Sequence, residues 1–253
     1  MRILISFASP EYQKAQCNLN ETAAPYFDAI RPYHPDTLDA DFLAKHSALM
    51  HYRRGFGFWC WKSYLIAREL HGMADDDVLM YCDSQKAFIA DPAPLFDLCR
   101  RQGRGVLLFH QLRDKRFNRE WTKRDMFILM GCDEPRYWDG PQVNSAMMVW
   151  TRQALALAEE AYEWNSNFHL ISDEASTLGP DFPEFRDYRH DQSIISLLAI
   201  REGLETMPDP SQFGVGYEQP GRNYGQVVEF RRTTRPPYPI PDRQPLAQPL
   251  VSL

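Results

Sequence analysis

Val78-Leu79-Met80-Tyr81-Cys82-Asp83-Ser84-Gln85 is a short apolar run that ends in a carboxylate. Val78 to Cys82 has the length of one buried β-strand, entered from the acidic turn Asp75-Asp76-Asp77. Asp83 therefore stands at the carboxyl end of a strand, where open α/β sheets place their ligands. Two readings fit it there. It holds a metal or a phosphate-bearing substrate, or it caps the turn that follows.

The segments around this strand repeat its logic. Ile3–Phe7 is apolar on both faces and predicts a parallel-type strand. Gly105–His110 and Val143–Trp150 predict two more, and Gln226–Arg231 a late one. Helices are expected around Ala23–Ala29, Asp39–Met50, Cys60–His71 with Gly72 as its stop, Pro94–Gln102 and Lys123–Met130. Two further helices are expected, one N-capped by Thr151 and running to Trp164, the other opened by Asp191 and closing near Gly203. This alternation predicts an α/β fold, a mostly parallel central sheet flanked by helices in a single domain. Prolines crowd the chain after Met207, so a catalytic domain is expected over residues 1–207 and a Pro-rich extension over 208–253.

Composition narrows the function. The 253 residues, 44% hydrophobic and 25% charged, suit one large soluble domain. A net charge of −6 argues against nucleic acid as the partner, since such binders are basic. The five cysteines (Cys17, Cys60, Cys82, Cys99, Cys132) form no C-x-x-C pair, which favours reduced thiols over disulfides or zinc. The N-terminal apolar run is too short for a signal peptide, and no run reaches the ~18 apolar residues of a membrane span. The expectation is a cytoplasmic protein, free or peripheral to a membrane, and not an integral membrane protein.

Two further blocks carry the functional reading. Upstream of the strand lies Arg54-Gly55-Phe56-Gly57-Phe58-Trp59-Cys60-Trp61-Lys62, and downstream lies Arg189-His190-Asp191-Gln192-Ser193. With Tyr81-Cys82-Asp83 they resemble GT-A-type glycosyltransferases of bacterial and viral surface-polysaccharide synthesis, over roughly residues 1–207. That resemblance implies transfer of a sugar from a nucleotide-sugar donor to a glycan, lipid-linked or other hydroxyl-bearing acceptor. It also implies a divalent cation, Mn or Mg, held in part by Asp83. Many such enzymes carry Asp-x-Asp after the strand, whereas Gln85 takes the second acidic position here.

The resemblance places Asp83 and Gln85 near the donor, and the end of the first strand from Ser6 near its nucleoside. Asp191 and Gln192 take the place of the D-Q pair of glycogenin-like retaining enzymes, at the reacting sugar. Arg54 and Lys62 are cationic candidates for the diphosphate, with Gly55 and Gly57 permitting a close loop. Lys62 also reads as an ordinary first-turn lysine, and Trp59 and Trp61 as core aromatics. Asp191 also reads as a helix N-cap, and His190 as a metal ligand, a diphosphate contact or a polar loop residue. Residues 111–141 read as a long loop serving as a lid, from which Lys123 reaches the phosphates and after which Gln142 and Asn144 meet sugar hydroxyls. Two rivals stand beside transfer: a metal-assisted nucleotide-sugar or phosphoester hydrolase, and a non-catalytic glycan- or nucleotide-binding protein.

Overall fold

The computed structural model describes residues 1–110, 117–214, 224–231, 248, 250 and 251. In chain order its strands are β1 (Arg2–Phe7), β2 (Ala29–Tyr33), β3 (Val78–Cys82), β4 (Lys86–Phe88), β5 (Val106–His110), β6 (Met147–Trp150), β7 (Thr206–Pro208) and β8 (Val228–Phe230). Six of them form one sheet in the order β2-β1-β3-β6-β5-β7, and β4 pairs with β8 in a separate ribbon. The sheet is mostly parallel, as expected: only β6 runs against its neighbours β3 and β5.

Alternation along the strands divides the core between two faces. Ile3, Ile5, Leu79, Tyr81, Leu108, Met148 and Trp150 turn to one face. There they meet Leu65, Ile66 and Leu70 of α2 (Trp61–His71), Ala158 and Ala161 of α4 (Leu155–Asn165) and Ile194 of α5 (Asp191–Arg201). Leu4, Val78, Met80, Leu107 and Val149 turn to the other face, against Leu19 of α1 (Gln13–Ala23) and Leu95, Phe96 and Cys99 of α3 (Ala93–Gln102). No helix of the described residues is long and apolar enough to cross a membrane.

Several expected elements move. No helix forms at 24–29, where the chain turns into β2; the helix of this region is α1, which ends at Ala23 and whose buried Ala15, Leu19 and Ala23 are too few to stand out among polar neighbours. The strand β2 went unforeseen because it is a sheet edge, half-exposed and carrying Pro32, without the apolar run that marks a buried strand. β4 and β7, only three residues each, also escaped notice. β6 starts at Met147 and not at Val143, because the Asn144 side chain accepts the Ala146 N–H (3.1 Å) and turns the chain there. The 207/208 boundary falls inside β7, and most of the Pro-rich extension lies outside the described residues. The expected strand at 226–231 is β8, hydrogen-bonded to β4.

Before α2 the backbone does something that periodicity cannot foresee. Gly55, Phe56, Gly57, Phe58 and Trp59 all have positive φ, between 51° and 79°. The Phe58 N–H donates to the Arg54 carbonyl (2.7 Å) and the Trp59 N–H to the Gly55 carbonyl (3.0 Å), closing one left-handed helical turn. Each non-glycine residue in that region costs about 1–2 kcal/mol, so surrounding contacts must over-determine the turn. A Cβ at Gly55 would sit 2.2 Å from the Trp59 ring. Gly55→Ala is therefore expected to destabilise the fold by about 2–4 kcal/mol, from left-handed strain plus overpacking. Chemical denaturation checks this, and a variant within 0.5 kcal/mol of the parent, roughly the surface-substitution range, would contradict the fixed turn.

Candidate active site

Three charged side chains from three elements meet at the carboxyl edge of the sheet. Lys62, in the first turn of α2, is 3% exposed. Its Nζ stands 2.7 Å from Asp191 Oδ2 and 3.8 Å from Asp83 Oδ1. It also donates to the Ser145 carbonyl (3.4 Å) and Ser145 Oγ (3.3 Å), and lies 5.0 Å from the centre of the Tyr81 ring. Burial disfavours an ammonium here, but the carboxylates of Asp191 and Asp83 hold the Lys62 pKa above its ordinary value. Burial in turn pushes the Asp191 carboxyl upward, against the pull of Lys62.

Asp83 lies just past β3, its amide donating to the Ala146 carbonyl (2.9 Å). The Tyr81 hydroxyl, from the buried side of the same strand, donates to Asp83 Oδ1 (2.6 Å). Asp83 is nonetheless 39% exposed in its side chain, making it the cluster's opening to solvent. Asp191 is 7% exposed and opens α5 as its first helical residue. The N-cap is His190, at φ 46° and ψ −119°, so the expectation of an Asp191 cap is corrected: its carboxylate goes to Lys62.

The remaining candidates occupy other surroundings. Arg54 does not join the Lys62 cluster. Its guanidinium forks onto Asp173 (3.0 Å to each oxygen) and Asp187 (3.0 and 2.9 Å), with a further bond to the Tyr188 carbonyl. His190 is 1% exposed, packs on Phe58 and Trp59, and bonds through Nδ1 to the Ile171 carbonyl (2.7 Å). Burial, helped by the charge of Arg54, holds its pKa well below the ordinary value, so it is a neutral ring of the core. Lys123 is caged by the carbonyls of His169, Ser172 (3.3 Å) and Glu174 (3.2 Å), with burial lowering its pKa to about 8. Ser6 is a buried strand residue whose Oγ accepts from Gln16. Gln142 is held by Asn118 and Thr122 and accepts from Gln192 Nε2 (2.8 Å). Asn144 donates to the buried Asp209.

A cleft of about 820 Å³ opens beyond the ends of β1 and β2. Ser9 and Pro10 line it from the first strand, Pro35 and Asp36 from the second, and Arg53 and Phe56 from the approach to the left-handed turn. Such a volume suits a nucleotide-sized ligand. Ser9 and Arg53 thus stand where the sequence reading had favoured Ser6 and Arg54. Ser6 lies within β1, which is covered on both faces, whereas Ser9 stands past its end.

The donor set does not fit a resident divalent ion. Among the described residues no group of three or more His, Cys, Asp or Glu side chains is placed to hold one. Asp83 contributes one carboxylate already bonded to Tyr81, and Gln85, whose carbonyl accepts the Arg231 N–H (2.9 Å), adds no charge.

No protein-family model matches the sequence, and no curated protein matches it. Solved structures do. The apo form of mouse xyloside xylosyltransferase 1 superposes with a TM-score of 0.52 at 10% identity, over 92% of this chain and 98% of that one. A glycosyltransferase involved in glycosylating the major capsid of PBCV-1 gives 0.48 at 12% identity, over 92% and 96%. An active-site mutant of LgtC gives 0.49 at 11%, over 91% and 87%. At such identities the xylosyltransferase likeness speaks for the fold, and the fold is that of the GT-A-like glycosyltransferases.

Arg54 bridges two carboxylates with little access to water, so removing it strands both charges. Arg54→Ala is expected to cost about 3–5 kcal/mol in a denaturant titration, the scale for breaking a buried ion pair. A near-neutral effect would show that the fork does not hold the Asp173–Tyr188 segment to the left-handed turn.

Proposed function

We propose that this protein is a glycosyltransferase that moves a sugar from a nucleotide-sugar donor to a hydroxyl of a glycan or lipid-linked acceptor. The observation that carries the reading is the convergence of Lys62, Asp83 and Asp191 at the carboxyl edge of a GT-A-like sheet, beside a cleft of nucleotide size. Hydrolysis by a metal-assisted route would need several convergent ligands, and His190, the nearest histidine in sequence, is turned into the core.

In this reading the nucleoside lies in the cleft between Ser9, Asp36 and Phe56, and Arg53 meets the diphosphate. Asp83, exposed and oriented by the Tyr81 hydroxyl, accepts from donor hydroxyls. As the bond from the anomeric carbon to the diphosphate oxygen breaks, positive charge grows on the sugar. Asp191, kept ionised by Lys62, stabilises that charge, and the fixed pair needs no reorganisation in the transition state. Gln192 is oriented by Gln142, and the resemblance of Asp191-Gln192 to the D-Q pair of glycogenin-like retaining enzymes favours retention of anomeric configuration. The catalytic unit in this reading takes in β7 and β8 beyond residue 207, and synthesis of surface polysaccharide in the cytoplasm is the setting we favour.

Two substitutions test these assignments. Asp83→Asn should lower nucleotide-sugar turnover by roughly 100-fold or more, the scale of losing one electrostatic contact. The melting temperature should stay within a few degrees, because the side chain is partly exposed. Full turnover would remove Asp83 from the site.

Asp191→Asn separates charge from geometry. It should cut kcat by roughly 100- to 1000-fold while nucleoside diphosphate binding, read by calorimetry, survives. Stability should also fall, since Lys62 keeps its charge and loses its nearest partner. Product analysis in the same assay distinguishes transferred sugar from free sugar or none, and near-native transfer by a stable Asp191→Asn protein would return Asp191 to a packing role.

A further inference from the structure

Against the Lys62–Asp191 pair lies a small cavity, of whose lining Asp83 is not a part. It has about 20 Å³ of room and is bounded by α2, α4, α5 and the sheet. The apolar part of its lining is Ile66, Met148, Ala158, Ala161 and Ile195, and the Trp150 indole lines it too, its buried Nε1 without a hydrogen-bond partner among the described residues. Its polar part is Lys62, Ser63, Ser145, Asp191 and Asn165, the last residue of α4. A space of that size admits one water, and a water settles only where it finds two to four polar partners.

Asn165 is the informative member. It is 2% exposed, and its Nδ2 donates to Ser63 Oγ (2.7 Å) and to the Ala161 carbonyl (2.8 Å). Its Oδ1 is buried and accepts no hydrogen bond from the described residues. A buried acceptor left in that state costs about 1–3 kcal/mol. Ser63 Oγ accepts from Asn165, and its own hydroxyl proton has no acceptor among the described residues' hydrogen bonds. An unmet acceptor, two uncommitted donors (the Ser63 hydroxyl and Trp150 Nε1) and a carboxylate thus line one water-sized space.

We propose that this cavity is an ordered-water site, and that Asn165 acts through the water as a positioning residue for Asp191. The water donates one O–H to Asn165 Oδ1 and the other to the Asp191 carboxylate, and accepts from the Ser63 hydroxyl. The carboxylate is then held from two sides, by Lys62 and by the water anchored in α4. Rotation of Asp191 about its side-chain bonds would break one contact or the other. A hydrogen bond to the ionised form also favours ionisation, opposing the upward push of burial. The functional half of this inference rests on the proposed role of Asp191 in transfer, whereas the water site itself does not.

The test has two arms. A crystal structure near 1.5 Å should show one full-occupancy water within hydrogen-bonding distance of both Asn165 Oδ1 and the Asp191 carboxylate. Absence of density there would overturn the site whatever the protein's activity. In the second arm, Asn165→Leu, which fills the space with apolar atoms, should move the acidic limb of the kcat/KM pH profile upward by about one unit. Turnover should fall about tenfold, with nucleoside diphosphate affinity unchanged. Ser63→Ala, which removes the water's donor with little change of volume, should shift the limb the same way by a smaller amount and remains informative if Asn165→Leu does not fold. A folded variant of either kind with the parent's pH profile would overturn the positioning role. Lack of transferase activity in the parent would refute the proposed function and leave the crystallographic arm standing.

Discussion

The buried ammonium of Lys62 is the constraint on which the site depends. Removing a cation from water costs several kcal/mol, and only close opposite charge and hydrogen-bond acceptors make it tolerable. Here the compensation comes from Asp191, from Ser145, and from Asp83 and the face of Tyr81 at the end of β3, three separate pieces of backbone. Satisfying one lysine therefore fixes the first turn of α2 against the first turn of α5 and the end of β3. The acid that opens α5 acquires a partner stronger than the helix end it might have capped. The acid after β3, farther from Nζ, keeps access to solvent.

The left-handed turn before α2 is the second constraint, and it serves the first. Five consecutive residues in the left-handed region are unfavourable in isolation, so their surroundings must hold them. Trp61 Nε1 donates back to the Gly55 carbonyl (3.0 Å), and Phe7 stacks on Trp61 at 4.0 Å. Arg54 at the start of the turn is clamped by Asp173 and Asp187, and Phe58 within it packs on His190, the strained N-cap of α5. Two unusual pieces of backbone thus brace each other across the site. The turn also sets the register of α2, and with it the point at which Lys62 enters the sheet edge.

Much of the remaining polarity in the loops is committed to holding loops. Asp125 is fully buried and accepts from the Thr177 and Leu178 amides (2.7 and 2.8 Å) and from His169 (2.5 Å), contacts that pull its pKa down to about 2 against the effect of burial. Lys123, two residues earlier, draws three carbonyls of the same segment around its ammonium. The pair closes residues 169–178 onto the rest of the domain and so positions Asp173, the partner of Arg54. Lys123, the lid residue expected to reach the phosphates, spends its ammonium on these carbonyls in the folded chain.

Local chemistry alone determined a good part of this. Val78–Cys82 is a strand because five apolar residues in a row suit a buried ladder, and Asp83 follows it by adjacency, so its place at the sheet edge was legible. The α/β class followed from the alternation of such runs with helices, and Lys62 and Asp191 stood out as charges at the starts of two apolar helices. What only the tertiary structure decided is which charges meet. Arg54 and Lys62 are eight residues apart and chemically alike as cations, yet a turn of reversed hand sends one to Asp173 and Asp187 and the other to Asp191. Ser6 and Ser9 part company because the first lies within β1, a strand covered on both faces, and the second stands past its end at the cleft. Pairing of ions depends on distances across the fold, between residues far apart in sequence, and a charge settles wherever a partner makes up for the water it has lost.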